Sequence, residues 1–217
     1  MTKFLMPSPK LVQDDLIPES ARDGSVREYL TREEGASRRT WGGWVRIKSG
    51  ITIGSVSPLE WTCVSRSADE TDRLGRLIGH ALRGGEIIAL HGNLGAGKTV
   101  LVRGMATSLG APPEAVTSPT FVLIQTYAGR LPLAHADLYR LESRAEIDGL
   151  GLEEYADGRT VLAVEWAEKA GMELPTDRLD IHLAHETPAS RSIRFHAGGA
   201  LSRSLLHRIM NGGAEHA

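Results

Sequence analysis

The segment Glu86 to Thr99, EIIALHGNLGAGKT, constrains this chain more than any other stretch. Glu86 to His91 is short and nearly continuously apolar, as a strand covered on both faces is, and the residues from about Lys98 to Leu109 read as a helix. Between them Gly92, Asn93, Leu94, Gly95, Ala96, Gly97, Lys98 and Thr99 form a complete G-x-x-x-x-G-K-[ST] match, in the strand, loop, helix setting that the pattern requires. Glycines let such a loop curl until successive backbone N–H groups point inward, making an anion nest at the positive end of the following helix. Side chains at those positions would fill the nest. Lys98 then offers a compact ammonium to β and γ phosphates, and the Thr99 hydroxyl is a hard oxygen ligand suited to octahedral Mg²⁺. A glycine-rich turn without a ligand leaves Lys98 unexplained, since a helix dipole disfavours a cation at its N-terminus.

The surrounding pattern extends this unit into a domain. A strand at Trp61 to Ser65 leads through the cap-like, acidic Ser67-Ala-Asp-Glu-Thr-Asp72 to a helix with Leu74, Leu77, Ile78, Ala81 and Leu82 on one face, ended by Gly84-Gly85. Apolar strands are expected at Thr120 to Tyr127, Leu131 to Ala136 and Thr160 to Glu165, around a helix at Arg144 to Gly149. Two alternating runs, Leu179 to His185 and Ser192 to His196, flank the turn Thr187-Pro188-Ala189-Ser190, and a terminal helix comes near Leu201 to Met210. The expected fold is therefore α/β, a P-loop NTPase-like three-layer sandwich with a mostly parallel central sheet, a C-terminal β-hairpin and a terminal helix.

Length divides the chain. Of 217 residues, the part from residue 61 to 217 suffices for that domain, and residues 1–60 read as a disordered or weakly structured extension. The extension mixes Pro7, Pro9 and Pro18 with scattered charges of both signs and shows no sustained period. Within it, Ser25 to Glu34 could form a short capped helix, and Trp41 and Trp44 with Val45, Ile47, Ile51 and Ile53 a small hairpin, or the segment docks a partner. An upstream choice of start codon is the other account of this surplus. A formal net charge of −2 argues against nonspecific capture of nucleic acid by the whole chain. The single cysteine, Cys63, excludes an intrachain disulfide and a multi-thiolate zinc site, and is read as a small buried thiol in a reducing cytoplasm. Early prolines and the absence of any run of about 18 apolar residues argue against secretion and membrane spanning.

A P-loop site needs an acid at the end of a neighbouring strand to hold Mg²⁺ or its water and to position the nucleophile. Glu165, ending Val161-Leu-Ala-Val164, and Asp137, ending Leu133-Ala-His-Ala136, both qualify. Thr117-Ser118-Pro119-Thr120 lies between the P-loop helix and the next strand, where a switch would place Ser118 or Thr120 near the γ phosphate or metal; by composition alone it reads as a plain turn. His182 and His185, three apart on a strand, point to opposite faces and do not form a metal pair. His135 and Trp166 stand beside the two acids, where they either shape the site or simply pack. Arg140 and Arg191 are nucleotide contacts or solvated arginines.

Taken together, Gly92 to Thr99, Thr117 to Phe121, His135-Ala-Asp-Leu-Tyr-Arg140 and Val164-Glu-Trp166 resemble the TsaE (YjeE) family of bacterial P-loop ATPases over about residues 66–197. The resemblance implies a weak ATPase serving threonylcarbamoylation of adenosine 37 in tRNAs that read ANN codons, acting on a complex of TsaD and TsaB and meeting tRNA through that complex. It implies ATP and Mg²⁺ as ligands, with Lys98 and Thr99 on phosphate and metal, Glu165 and Asp137 as the acids, and Ser118, Pro119 and Thr120 as a switch. Thr71 and Arg191 fall at the family's nucleotide-binding edges. Val100 departs from members carrying a second hydroxyl residue after the threonine, and the N-terminal extension is foreign to the family. Two other readings share the motifs: a small-molecule kinase, which would need an acceptor pocket and an arginine-bearing lid, and a noncatalytic nucleotide-gated binding module.

Overall fold

The computed structural model describes residues 45–46, 52–56 and 59–215, all within the unit Thr40–Ala217. Along the chain these are strands β1 (Val45–Arg46), β2 (Thr52–Val56) and β3 (Glu60–Ser65), helix α1 (Ala68–Ala81), β4 (Ile87–His91), α2 (Lys98–Leu109), β5 (Ile124–Tyr127), β6 (Leu133–Asp137), α3 (Arg144–Asp148), β7 (Val161–Glu165), β8 (Leu179–His185), β9 (Arg191–Ala197) and α4 (Ala200–Glu215). They build one nine-stranded sheet in the order β1-β2-β3-β9-β8-β4-β7-β6-β5. Its centre, β8-β4-β7-β6, is parallel, and every pairing outside those four strands is antiparallel.

Strand alternation sorts the apolar residues into two layers. Ile88 and Leu90 of β4 and Val161 and Ala163 of β7 face α1, α2 and α4, while Ile87, Ala89, Leu162 and Val164 face a second cluster containing Ile147, Leu152 and Leu174. Because the parallel strands are covered on both sides, they read as continuous apolar runs. Helix α1 buries Leu74 and Ile78 on the sheet side, and Ser67 caps it by accepting the Glu70 N–H at 3.0 Å. On the same side of the sheet, Trp61 of β3 stacks on Phe195 of β9 with ring centroids 4.6 Å apart, and Cys63 is buried, which pushes its thiol pKa up.

The expected elements are found with some shifts of boundary. The strand expected from Thr120 starts only at Ile124: the Pro119 carbonyl accepts the Val122 and Leu123 N–H groups, and Leu123 takes a φ of 66°, so residues 120–123 form a turn. The strand expected from Leu131 starts at Leu133. The hairpin expected among residues 41–53 is present in β1 and β2, which pair Val45 with Ile53, and β2 joins β3, so the sheet begins before residue 60. The helix expected at residues 25–34 lies outside the described residues. Among the described residues no helix is long and apolar enough to cross a membrane.

Candidate functional site

The parallel strands end at one edge of the sheet and deliver their C-terminal loops there, at the usual ligand edge of an open α/β fold. In register, Leu90 lies beside Glu165 and Glu165 beside Asp137, which brings the end of β4 and both acids to one level. β3 also ends at this edge and β9, running opposite, begins there; Ser65 pairs with Arg191. Thr71, in the first turn of α1 just after β3, and Arg191 therefore arrive together from distant points of the sequence.

The loop from Gly92 to Gly97 curls over the start of α2. Gly97 caps that helix with a φ of 106°, a conformation that costs a residue with a Cβ, and a Cβ on Gly92 would stand 2.3 Å from the Leu183 carbonyl oxygen. Lys98 is 4% exposed. Its ammonium donates to the Gly92 and Asn93 carbonyls at 2.5 and 3.1 Å and lies 3.8 Å from the centre of the Trp166 ring. Burial pulls its pKa below the usual lysine range, against the opposing effect of Glu165, Glu168 and Asp137. Trp166, the first residue after β7, adopts a φ of 59° that turns the chain into a short 3₁₀ segment, Ala167–Lys169.

Two hydroxyl–carboxylate clusters flank the loop. The Thr99 hydroxyl donates to Glu165 Oε1 at 2.8 Å, and the same oxygen lies 2.9 Å from His135 Nε2. Beside it, Asp137 Oδ2 accepts from Ser118 at 2.6 Å and Thr120 at 2.5 Å, while Oδ1 accepts the Tyr139 N–H at 2.9 Å. Pro119 sits between those two hydroxyls and supplies the carbonyl that closes the 120–123 turn. The turn carries Phe121, 82% exposed, with the Arg140 guanidinium 4.1 Å from its ring centre. At the other flank, Arg191 Nη1 donates to Thr71 Oγ1 at 3.0 Å, and the arginine is buried with Nε left without a partner. A Cβ on Gly97 would stand 3.7 Å from the Cδ and Nε of Arg191.

The residues singled out in the sequence thus fall into one constellation, with Thr99 paired to Glu165, Ser118 and Thr120 to Asp137, and Thr71 to Arg191. His182 does not join His185; it stacks on His91 with ring centroids 4.3 Å apart. His91, which sequence reasoning passed over, bridges Asp180 and Glu168 at 2.9 and 3.2 Å, a contact for which its place before Gly92 was the sole hint. Among the described residues no three His, Cys, Asp or Glu side chains are arranged to hold a metal by themselves. A curled loop of backbone donors with a buried ammonium at a helix start, and a hydroxyl tied to an acid on the adjacent parallel strand, fit a phosphate bearing Mg²⁺.

Fold and site define a P-loop nucleotide-binding α/β protein of the three-layer type. The family model described as threonylcarbamoyl adenosine biosynthesis protein TsaE matches residues 65–193. The chain belongs to the TsaE family, whose role lies in the biosynthesis of threonylcarbamoyladenosine in tRNA. It is 43% identical over 131 residues to the tRNA threonylcarbamoyladenosine biosynthesis protein TsaE of Treponema pallidum, covering 60% of this chain and 96% of that one. To the protein of the same name from Bacillus subtilis it is 40% identical over 142 residues, covering 65% and 87%. The crystal structure of Bacillus subtilis YdiB superposes with a TM-score of 0.59 at 32% identity, over 72% of this chain and 95% of that one.

Proposed function

We propose that the protein is a slow ATPase that binds ATP with Mg²⁺ and acts on a complex of TsaD and TsaB in the threonylcarbamoylation of adenosine 37 of ANN-decoding tRNAs. The observation that carries the reading is the 2.8 Å hydrogen bond from Thr99 to Glu165 beside the Lys98 ammonium, which sets a metal-ligating hydroxyl and an acid side by side at the mouth of the anion nest. In this reading the backbone N–H groups of Gly92 to Thr99 hold the phosphates, with Asn93, Leu94, Gly95, Ala96 and Gly97 forming the wall of the nest. Lys98 leaves the Gly92 and Asn93 carbonyls for the β and γ phosphates. Thr99 and Glu165 would hold Mg²⁺, which would supply charge neutralisation at the phosphates, and Glu165 orients the attacking water. Asp137 holds Ser118 and Thr120, so the switch moves when those hydroxyls turn toward the γ phosphate. Thr71 and Arg191 close the nucleotide side at the start of α2.

Slow turnover in isolation is the expected result of an open site. Leu94 in the P-loop is 73% exposed and Phe121 and Val122 in the switch turn are 82% and 64% exposed, so bulk water reaches the loop on both sides. A docking partner that covers those side chains would exclude it. A kinase-type lid finds no support, since after Glu165 the chain passes through the Ala167–Lys169 turn and then into β8.

The test is reconstitution of tRNA modification from TsaD, TsaB and the enzyme that forms the carbamoyl adenylate, with wild-type protein or Lys98→Ala. Multi-turnover yield is expected to require the wild-type lysine, and equal yields overturn the assignment. Glu165→Gln is expected to keep ATP affinity and lose phosphate release; unchanged hydrolysis removes Glu165 from the mechanism, and binding without hydrolysis in the wild type would favour a nucleotide-gated binding module.

A further inference from the structure

His135 enters no step of that reading, yet it is fully buried and touches the acid on which the reading turns. It sits in mid-strand on β6, opposite Ala163 of β7 and Gln125 of β5, and on the same face as Leu133. An imidazole there gains nothing as a packing residue that a leucine would not give. The proton inventory is restrictive. Nε2 lies 2.9 Å from Glu165 Oε1, whereas Nδ1 is buried with no hydrogen-bond partner. Were the hydrogen on Nδ1, a donor would be buried unpaired and the Nε2 lone pair would face a carboxylate oxygen. With it on Nε2, the strong hydrogen bond is made and a bare acceptor is the group left over, the smaller penalty. Oε1 therefore accepts from two donors, the His135 imidazole and the Thr99 hydroxyl, arriving from β6 and from α2. Among the described residues, no side chain or backbone group donates to Oε2.

We infer that His135 is a positioning residue for Glu165: its Nε2–H, together with the Thr99 hydroxyl, pins Oε1 and so reserves Oε2 as the oxygen that faces the metal and the reacting water. This rests on the ATPase reading, and it assigns the two carboxylate oxygens of one acid to different tasks. The Thr99 donor sits in the first turn of α2, where the reading gives it to the metal; the His135 donor sits in mid-strand in the central sheet, where no ligand competes for it. When the hydroxyl turns to a metal ion, His135 is the contact that keeps the carboxylate in its rotamer.

Steady-state hydrolysis by the full chain, with kcat and KM separated, tests this. His135→Leu, close in volume and without a donor, is expected to lower kcat by about 10- to 100-fold, the scale of one hydrogen bond to a charged group, with KM for ATP little changed. His135→Gln places an amide N–H where Nε2 stood and is expected to restore most of the loss. In a Glu165→Gln background His135→Leu is expected to add nothing. Wild-type kcat in His135→Leu, equal impairment of the glutamine and leucine variants, or additive losses would each overturn the inference. A second readout is independent of turnover: the imidazole ¹⁵N spectrum of the nucleotide-free protein is expected to show His135 as the Nε2–H tautomer, perturbed by Glu165→Gln. An Nδ1–H tautomer overturns the assignment even if the protein proves to hydrolyse no ATP, a result that by itself would refute the ATPase reading instead.

Discussion

Lys98 is held by two carbonyls of its own loop and by the face of Trp166, a solvation shell made of protein. Carbonyls and a ring face replace water only in part, so burial lowers the lysine pKa, and Glu165, Glu168 and Asp137 do not fully offset it. The ammonium form is the one that phosphate selects, so binding takes up a proton once the pH exceeds the depressed value, and affinity falls from there on. Nucleotide Kd measured from about pH 7 to about pH 10 is expected to weaken on the alkaline side, beginning below the ordinary lysine value of ~10.4. Lys98→Arg, which stays charged through that range, is expected to bind more weakly at neutral pH but without the slope. The same slope in Lys98→Ala would show that another group titrates. Arg191 is the opposite case: its buried guanidinium reaches Thr71 and leaves Nε unpaired beside Gly97. In the proposed reading, that orphaned donor is the one an arriving nucleotide would satisfy.

At the scale of elements, the position of Lys98 and Thr99 depends on how closely α2 approaches α1. A Cβ on Gly75 would stand 2.2 Å from the Leu101 carbonyl oxygen, and one on Gly104 would stand 2.2 Å from that of Asp72, backbone atoms that cannot step aside. Gly75→Ala is expected to destabilise the fold by about 1 to 3 kcal/mol by forcing the helices apart, and to weaken nucleotide binding because α2 carries the nest with it. Thermal unfolding and nucleotide titration of this variant check both halves; an unchanged Kd beside a lowered Tm would show that the nest moves independently of the helix pair. No period in the sequence announces this contact, because a missing side chain leaves no hydrophobic signal. The legible elements had a local cause: β4 and α2 from the loop motif, α1 from its Ser67 cap and its stripe through Leu74 and Ile78, and Glu165 and Asp137 from their places at the ends of apolar runs. The hidden ones had a nonlocal cause. The turn at 120–123 depends on the Pro119 carbonyl and on Asp137 gripping Ser118 and Thr120 from 17 to 19 residues away. His91 meets Asp180 only because β8 is inserted between β9 and β4. The β1–β2 hairpin was legible from Val45, Ile47, Ile51 and Ile53, but its joining to β3 was not, because that pairing depends on a sheet edge supplied by residues further along the chain.

On the scale of the whole molecule, four of the seven large apolar side chains left in solvent among the described residues lie in loops around the site. Leu94 rises from the P-loop, Phe121 and Val122 project from the switch turn, and Tyr139 follows Asp137, whereas Leu59, Met172 and Leu201 are exposed outside these loops. Exposed aromatic and aliphatic residues at the mouth of a charged site mark an interaction surface more often than an accident of folding. The net charge of −2 fits a surface that meets protein rather than bare tRNA. If TsaD and TsaB dock there, as proposed, the same contact both excludes water and feels the nucleotide, because Phe121 is next in the chain to Thr120, whose hydroxyl is held by Asp137. Phe121→Ser keeps that hydroxyl and removes the ring, together with the seat it gives the Arg140 guanidinium. The ratio of ATP turnover with the TsaD–TsaB complex to turnover without it is expected to fall toward one in this variant, and its affinity for the complex by about 10-fold or more if the ring is a buried anchor. Phe121→Trp, which restores an aromatic face, is expected to recover part of both. A Phe121→Ser protein stimulated as fully as the wild type would place the partner elsewhere, and the exposed ring would then have to be explained by the switch alone.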